Sequence, residues 1–185
     1  MESTQQRGDG ISIVVPVFNE AGNLPQLHEE LLDVLGREEG GFELLYVDDG
    51  SQDRSREVLR TLRKGDHRVR VICLRHQAGQ TAALAAGFDE AHGEILVPLD
   101  GDLQNAPADI PKLVARLEDG YDLVAGWRKD RHDAWLVRRL PSIIANRLIS
   151  WVTGVSVHDT GCTLKAFRRS LVQDRALYGE QHRYL

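Results

Sequence analysis

Two cysteines, Cys73 and Cys162, are all that 185 residues contain, and they stand far apart with no C-x-x-C. That excludes a disulfide framework and points to a reducing compartment. The seven histidines are scattered, with no H-E-x-x-H and no Cys/His cluster, so the usual zinc sites are excluded too. No stretch reaches the roughly 20 apolar residues of a membrane-spanning helix. The opening MESTQQRGDG is polar and lacks the apolar centre of a signal peptide; residues 1–10 read as a disordered tail. Positive charge is also in short supply. Lys and Arg number 23 against 28 Asp and Glu, a formal net charge of −5, which disfavours nucleic acid as a partner. No G-x-G-x-x-G or P-loop is present: the first strand-like run continues as PVFNEAGN, against a dinucleotide oxidoreductase.

What is present alternates. ISIVVPV (11–17), FELLYV (42–47), VRVICL (69–74), EILVPL (94–99) and YDLVAG (121–126) are short apolar runs of strand character. Between them, Leu24, Leu27, Leu31 and Leu35 recur at helical spacing, as do Val58, Leu59 and Leu62, with Ser51 or Asp53 placed to cap the start. TAALAAGF (81–88) predicts a closely packed helix. Ile110, Leu113, Val114 and Leu117 predict another, with Asp109 before it, Pro111 in its first turn and Gly120 to stop it. Strand–helix alternation of this kind implies one α/β domain, a mostly parallel central sheet with helices on both faces. Near-continuous apolar strands fit such double burial. After Gly126 the alternation fades. Basic residues thicken there instead (Arg128, Arg131, Arg138, Arg139, Arg147, Lys165, Arg168, Arg169), a supply of charge for a local anionic ligand.

In open α/β sheets, ligands bind at the carboxyl ends of the strands. Here those ends read Pro16–Phe18–Asn19–Glu20, Asp48–Asp49–Gly50–Ser51, Arg75–His76 and Asp100–Gly101–Asp102. Acids gather at three of the four. On an extended strand Asp100, Asp102 and Gln104 would share one face, an oxygen set suited to Mg²⁺ or Mn²⁺. One reading is an aspartyl-phosphate phosphatase with Asp100 as nucleophile. Against it, the D-x-D follows three earlier strand–helix units and continues Leu-Gln. The other reading is a nucleotide sugar, whose diphosphate a cation can bridge. Asp102 and Gln104 would then hold the metal, with Asp100 on the metal or the ribose. Asp49, with Asp48 as a further candidate, would accept from base or ribose.

The ordered set VVPVFNE, VDDGSQDRS, GQTAALAAGF, LDGDLQNAP, AGWRKDRHD and DTGCTLKAFRR resembles family 2 glycosyltransferases of the GT-A fold. Within them it is most similar to polyprenyl-phosphate glycosyltransferases such as dolichol-phosphate mannose synthases. The likeness runs from Ile11 almost to the end. It implies nucleoside contacts from Pro16, Phe18, Glu20, Val47 and Asp49, nucleotide contacts from Asp100 and Gly101, and a cation on Asp102 and Gln104. It further implies phosphate binding by Arg128 and Arg131, and a catalytic or acceptor-orienting acid at Asp159. Phe18 stands where tyrosine is common, so any hydroxyl contact is lost.

The same resemblance implies a nucleotide-sugar donor, a polyprenyl-phosphate acceptor and an enzyme at the cytoplasmic face of a membrane. AWLVRRLPSIIANRLISWV (134–152) is broken by Arg138, Arg139, Pro141 and Arg147. It reads equally as a surface-lying membrane helix or a helix packed on the sheet. Relatives usually continue past YGEQHRYL with more basic contacts and, in many, transmembrane helices. Residues 11–185 are therefore expected to form a GT-A domain shortened at its carboxyl end.

Overall fold

The computed structural model describes residues 10–36, 41–126 and 164–172. Among these, six strands form one sheet: β1 (Ile11–Val17), β2 (Phe42–Asp48), β3 (Val69–Cys73), β4 (Ile95–Pro98), β5 (Leu123–Ala125) and β6 (Lys165–Arg168). The helices are α1 (Leu24–Leu35), α2 (Ser55–Gly65), α3 (Gln80–Glu90) and α4 (Ile110–Glu118), the last entered through a 3-10 turn at Pro107–Asp109. The strand order is β3-β2-β1-β4-β6-β5. Pairing is parallel from β3 through β4, while β6 runs antiparallel to both its neighbours. The five strands and four helices expected from the sequence are all there. β6 is the addition. It is too short to show periodicity, and it inserts between β4 and β5, which sequence order would have made neighbours.

Period-two alternation sorts each strand between two cores. Ile11, Ile13, Val15 and Val17 of β1, with Leu44 and Tyr46 of β2, face α1, α2 and α4. Val14, Leu45 and Val47 face α3 on the other side, together with Leu96 and Phe167. Among the described residues, helices therefore cover both faces, three on one and one on the other. The small residues of α3 are explained by contact. A Cβ on Gly87 would run into the Val14 side chain and lie 3.1 Å from Val47 Cγ2.

The basic residues near the end of the described chain have structural partners. Arg168 reaches Glu94 Oε1 at 2.8 Å and the Leu117 carbonyl at 3.2 Å, and Arg169 donates to the Ala91 carbonyl at 3.1 Å. Arg168 lies opposite Ile95, the first residue of β4, at the end of the sheet away from the carboxyl edge. Arg168 and Arg169 thus tie β6 down instead of serving an anion at that edge.

A buried polar group sits inside the larger core. His28 Nδ1 lies 3.3 Å from the Tyr46 hydroxyl, and His28 Nε2 lies 4.0 Å from Asp66 Oδ2. Asp66 in turn receives Arg68 Nε and Nη2, at 2.9 and 2.8 Å. Burial pushes the Tyr46 phenol up, so it stays protonated. Burial also holds His28 below its ordinary value of 6.5, with the Asp66 charge opposing. The unfolded chain therefore takes up a proton that folded His28 resists. Its contribution is complete above 6.5 and is lost as pH falls from there through the folded pKa. Asp66, held down first by Arg68, adds a separate loss below the ordinary carboxylate range. Thermal melts from pH 7.5 down to about 5 should show a falling midpoint, and His28→Gln should flatten that slope. Parallel slopes in the two proteins would contradict this assignment.

Candidate functional site

The carboxyl ends of β1, β2 and β4 converge because the ladders run on past the strands. Asp49 N–H donates to the Val17 carbonyl at 2.8 Å, and Leu99 N–H to the Val14 carbonyl at 3.0 Å. A cleft of about 350 Å³ opens there, lined by Pro16, Val17, Phe18, Glu20, Asp49, Gln77, Gly79, Gln80, Asp100, Gly101 and Asp102. Of the residues singled out by sequence, Pro16, Phe18, Glu20, Asp49, Asp100, Gly101 and Asp102 come together in it. Val47 does not, since its side chain is buried beneath α3. Gln104 is exposed and lies outside the lining. Arg128, Arg131 and Asp159 lie outside the described residues.

The loops around the cleft are laced by side chains. Asn19, in left-handed conformation at φ 59, accepts Gln52 N–H at 2.8 Å and Asp53 N–H at 3.3 Å. Ser51 Oγ accepts Asn19 N–H, Ser55 Oγ accepts Glu20 N–H, and Asp53 accepts the N–H groups of Ala21 and Ser55. The sequence offers Ser51 or Asp53 as the cap of α2, but the N-cap position is Arg54, with no side-chain cap hydrogen bond. Ser51 and Asp53 instead bind the β1–α1 loop to the segment that enters α2. Asp48, a candidate base or ribose acceptor, is fully buried. It accepts Arg56 Nε and Ser51 N–H. Its role is structural.

Asp49 is nearly as buried, at 4% exposure. Its two oxygens accept the N–H groups of Ala78 and Gly79 at 2.7 and 2.9 Å. That fixes the segment leading into α3 against the cleft. Gly50 makes this approach possible: its φ is +77, and a Cβ would stand 2.9 Å from the Gln77 backbone nitrogen. Gly50→Ala should therefore cost at least about 1–2 kcal/mol, seen as a melting midpoint lowered by about 2–8 °C. An unchanged midpoint would contradict the tight approach.

The D-x-D segment reaches the cleft by a different route from that expected. β4 ends at Pro98, residues 101–102 form a turn, and Leu103 takes a left-handed φ of 60. Strand alternation past Asp100 is therefore broken. Asp100 and Asp102 line the cleft because the chain turns there. Gln104 touches Asp102 through its main chain, its N–H donating to Asp102 Oδ1 at 3.1 Å. A Cβ on Gly101 would make only ordinary contacts, 3.4 Å from Glu20 Cγ and 3.6 Å from the Pro16 carbonyl, so space alone does not demand glycine there.

The donor set suits a hard divalent cation, Mg²⁺ or Mn²⁺ alike, that takes only part of its ligands from the protein. Asp102 is an exposed carboxylate at the rim. Among the described residues no group of three or more His, Cys, Asp or Glu side chains forms a cage. Mg²⁺ is commonly held by one or two carboxylates and completed by substrate phosphates, and one or two carboxylates are what the rim offers.

Four lining residues were not singled out from sequence as site residues: Val17, Gln77, Gly79 and Gln80. Gly79 and Gln80 open the stretch GQTAALAAGF, which resembles the family but reads locally as ordinary helix packing, while Gln77 precedes that stretch and Val17 reads as the end of a strand.

The solved structures that resemble this one place the architecture. Glucosyl-3-phosphoglycerate synthase from Mycobacterium tuberculosis, solved with Mn²⁺, UDP and glucosyl-3-phosphoglycerate, superposes with a TM-score of 0.67 at 24% identity. The match covers 89% of this chain and 58% of that one. The same synthase with Mg²⁺ and UDP gives 0.67 over the same shares. The fold is thus GT-A, a mostly parallel sheet between helices. Over residues 12–175 the chain matches the profile of "Glycosyl transferase family 2", and it belongs to that family. Among curated relatives, dodecaprenyl-phosphate galacturonate synthase of Rhizobium johnstonii is 43% identical over 180 residues, 95% of this chain and 52% of its own length. Undecaprenyl-phosphate 4-deoxy-4-formamido-L-arabinose transferase of Pseudomonas paraeruginosa is 45% identical over 170 residues, 89% of this chain and 49% of its own. The chain spans about half the length of these relatives. Among the described residues, no helix is long and apolar enough to cross a membrane.

Proposed function

We propose that this chain is the donor-binding and catalytic part of an inverting, metal-dependent glycosyltransferase that moves a sugar from a UDP- or GDP-sugar to a polyprenyl phosphate. The observation behind the proposal is the convergence of Glu20, Asp49, Asp100 and Asp102 on one cleft at the carboxyl edge of the sheet. Relatives named for dodecaprenyl- and undecaprenyl-phosphate substrates support the acceptor class. Phe18 and Pro16 offer an apolar wall for the nucleoside, and Asp49 and Glu20 offer acceptors for its polar edges. Asp102 would hold the Mg²⁺ or Mn²⁺, with Asp100 as a further oxygen donor in the cleft. When bound, the cation supplies a Lewis acid that stabilises charge on the departing nucleoside diphosphate.

The acceptor phosphate needs little activation, because its second pKa is about 6 and it is already largely ionised near neutrality. Asp159 then orients the acceptor, and the planar forks of Arg128 and Arg131 suit its phosphate or the donor's. A lipid acceptor places the working enzyme at a membrane surface, on the cytoplasmic side where nucleotide sugars are made. Incubating the protein with UDP- and GDP-sugars, Mn²⁺ and undecaprenyl phosphate should yield a lipid-linked monosaccharide with inverted anomeric configuration. Transfer to polysaccharide alone would move the acceptor assignment elsewhere in the family. Nucleotide binding without product from any acceptor would mark a binding module instead.

A further inference from the structure

We propose that Gln80, the first residue of α3, is a positioning residue that holds the Asp100 carboxylate in the orientation the nucleotide meets; this rests on the donor-binding role proposed above. Gln80 Nε2 donates to Asp100 Oδ1 at 2.7 Å, across 20 residues of sequence. Both side chains are partly buried and both line the cleft. Gln80 is itself held from below. Asp49, on the end of β2, grips the N–H groups of Ala78 and Gly79. Gly79, at φ 93, then turns the chain into the helix. The first residue of α3 thus has its backbone set by one cleft acid and its side chain spent on another.

The arrangement links the ends of β2 and β4, which flank β1 in the sheet and have no ladder between them. Without the amide, Asp100 would keep its place in the chain and lose one fixed partner. A carboxylate with one partner fewer is held less closely in that orientation, and the nucleotide must then restore it on binding. A hydrogen bond to a charged group is worth more than a neutral one, so the loss should be measurable in affinity. Alanine is a good helix former, so Gln80→Ala leaves α3 intact.

The test is calorimetric titration of the 185-residue chain with UDP and with GDP, each in the presence of Mn²⁺, first on the wild type. Gln80→Ala should weaken the nucleotide that binds by about 10- to 100-fold, with little change in melting midpoint. Gln80→Glu keeps the shape but removes the donor, and should lose as much. Gln80→Lys keeps a donor within reach of Asp100 and should recover most of the affinity. In an Asp100→Ala background, Gln80→Ala should have no further effect. Unchanged affinity in Gln80→Ala, full affinity in Gln80→Glu, no recovery in Gln80→Lys, or an undiminished second loss in the double variant would each overturn the positioning role alone. A wild-type chain that binds neither nucleotide overturns the donor-binding role, and this inference with it.

Discussion

Asp102→Ala is expected to abolish cation-dependent nucleotide binding while leaving the fold intact. Asp102 is exposed at the cleft rim, and among the described residues its carboxylate accepts only the nearby Gln104 N–H. Little packing is lost with it. What goes is the carboxylate best placed for a hard cation. Residues that merely orient metal ligands are worth about 10–100-fold in metal affinity, so removing the ligand itself should weaken Mn²⁺-assisted binding of UDP or GDP by about 100-fold or more. Calorimetry with and without Mn²⁺ reads this directly. Equal affinity in variant and wild type would remove Asp102 from the metal site. Asp48→Ala makes the contrast, because Asp48 is buried against Arg56 and its loss should appear as unfolding.

Asp159→Asn is expected to have the second largest effect, on turnover. A group that holds the acceptor in its attacking geometry is worth about 10²-fold or more. Asparagine keeps the size and hydrogen-bonding reach of the side chain and removes its charge. Product formation should fall by that factor, while nucleotide binding in the presence of Mn²⁺ stays as in the wild type. That split separates an enzyme from a donor-binding module. Loss of both would make Asp159 a structural residue, such as a turn acid beside Gly161.

The sheet was legible because its strands are short apolar runs with helical spacing between them. Ile11–Val17 and Leu24–Leu35 stand out on those grounds alone. The clustering of acids at strand ends was legible too, since topology brings the carboxyl edges of β1, β2 and β4 together whatever the loops do. Direction was harder. The geometry of Asp100, Asp102 and Gln104 was read from strand alternation, which stops where Leu103 turns left-handed. Sequence gives no sign of that reversal, because leucine is not a residue that usually adopts it. Asp48 and Asp49 are adjacent and alike, yet one is spent on Arg56 and the other faces the cleft. Only the alternation of β2 and the position of α2 separate them. β6 escaped notice because four residues show no period, and Gln80 because an amide at a helix start has no local mark of its long-range partner.

The central claim is that a cation and a nucleoside diphosphate share the carboxyl edge of this sheet. The most direct measurement is a crystal structure with UDP or GDP and Mn²⁺, with the manganese located by its anomalous signal. The account predicts a single strong peak between an Asp102 carboxylate oxygen and the diphosphate, and the nucleoside beside Phe18 and Asp49. Nucleotide bound elsewhere, or bound in that cleft with no manganese at Asp102, would contradict it.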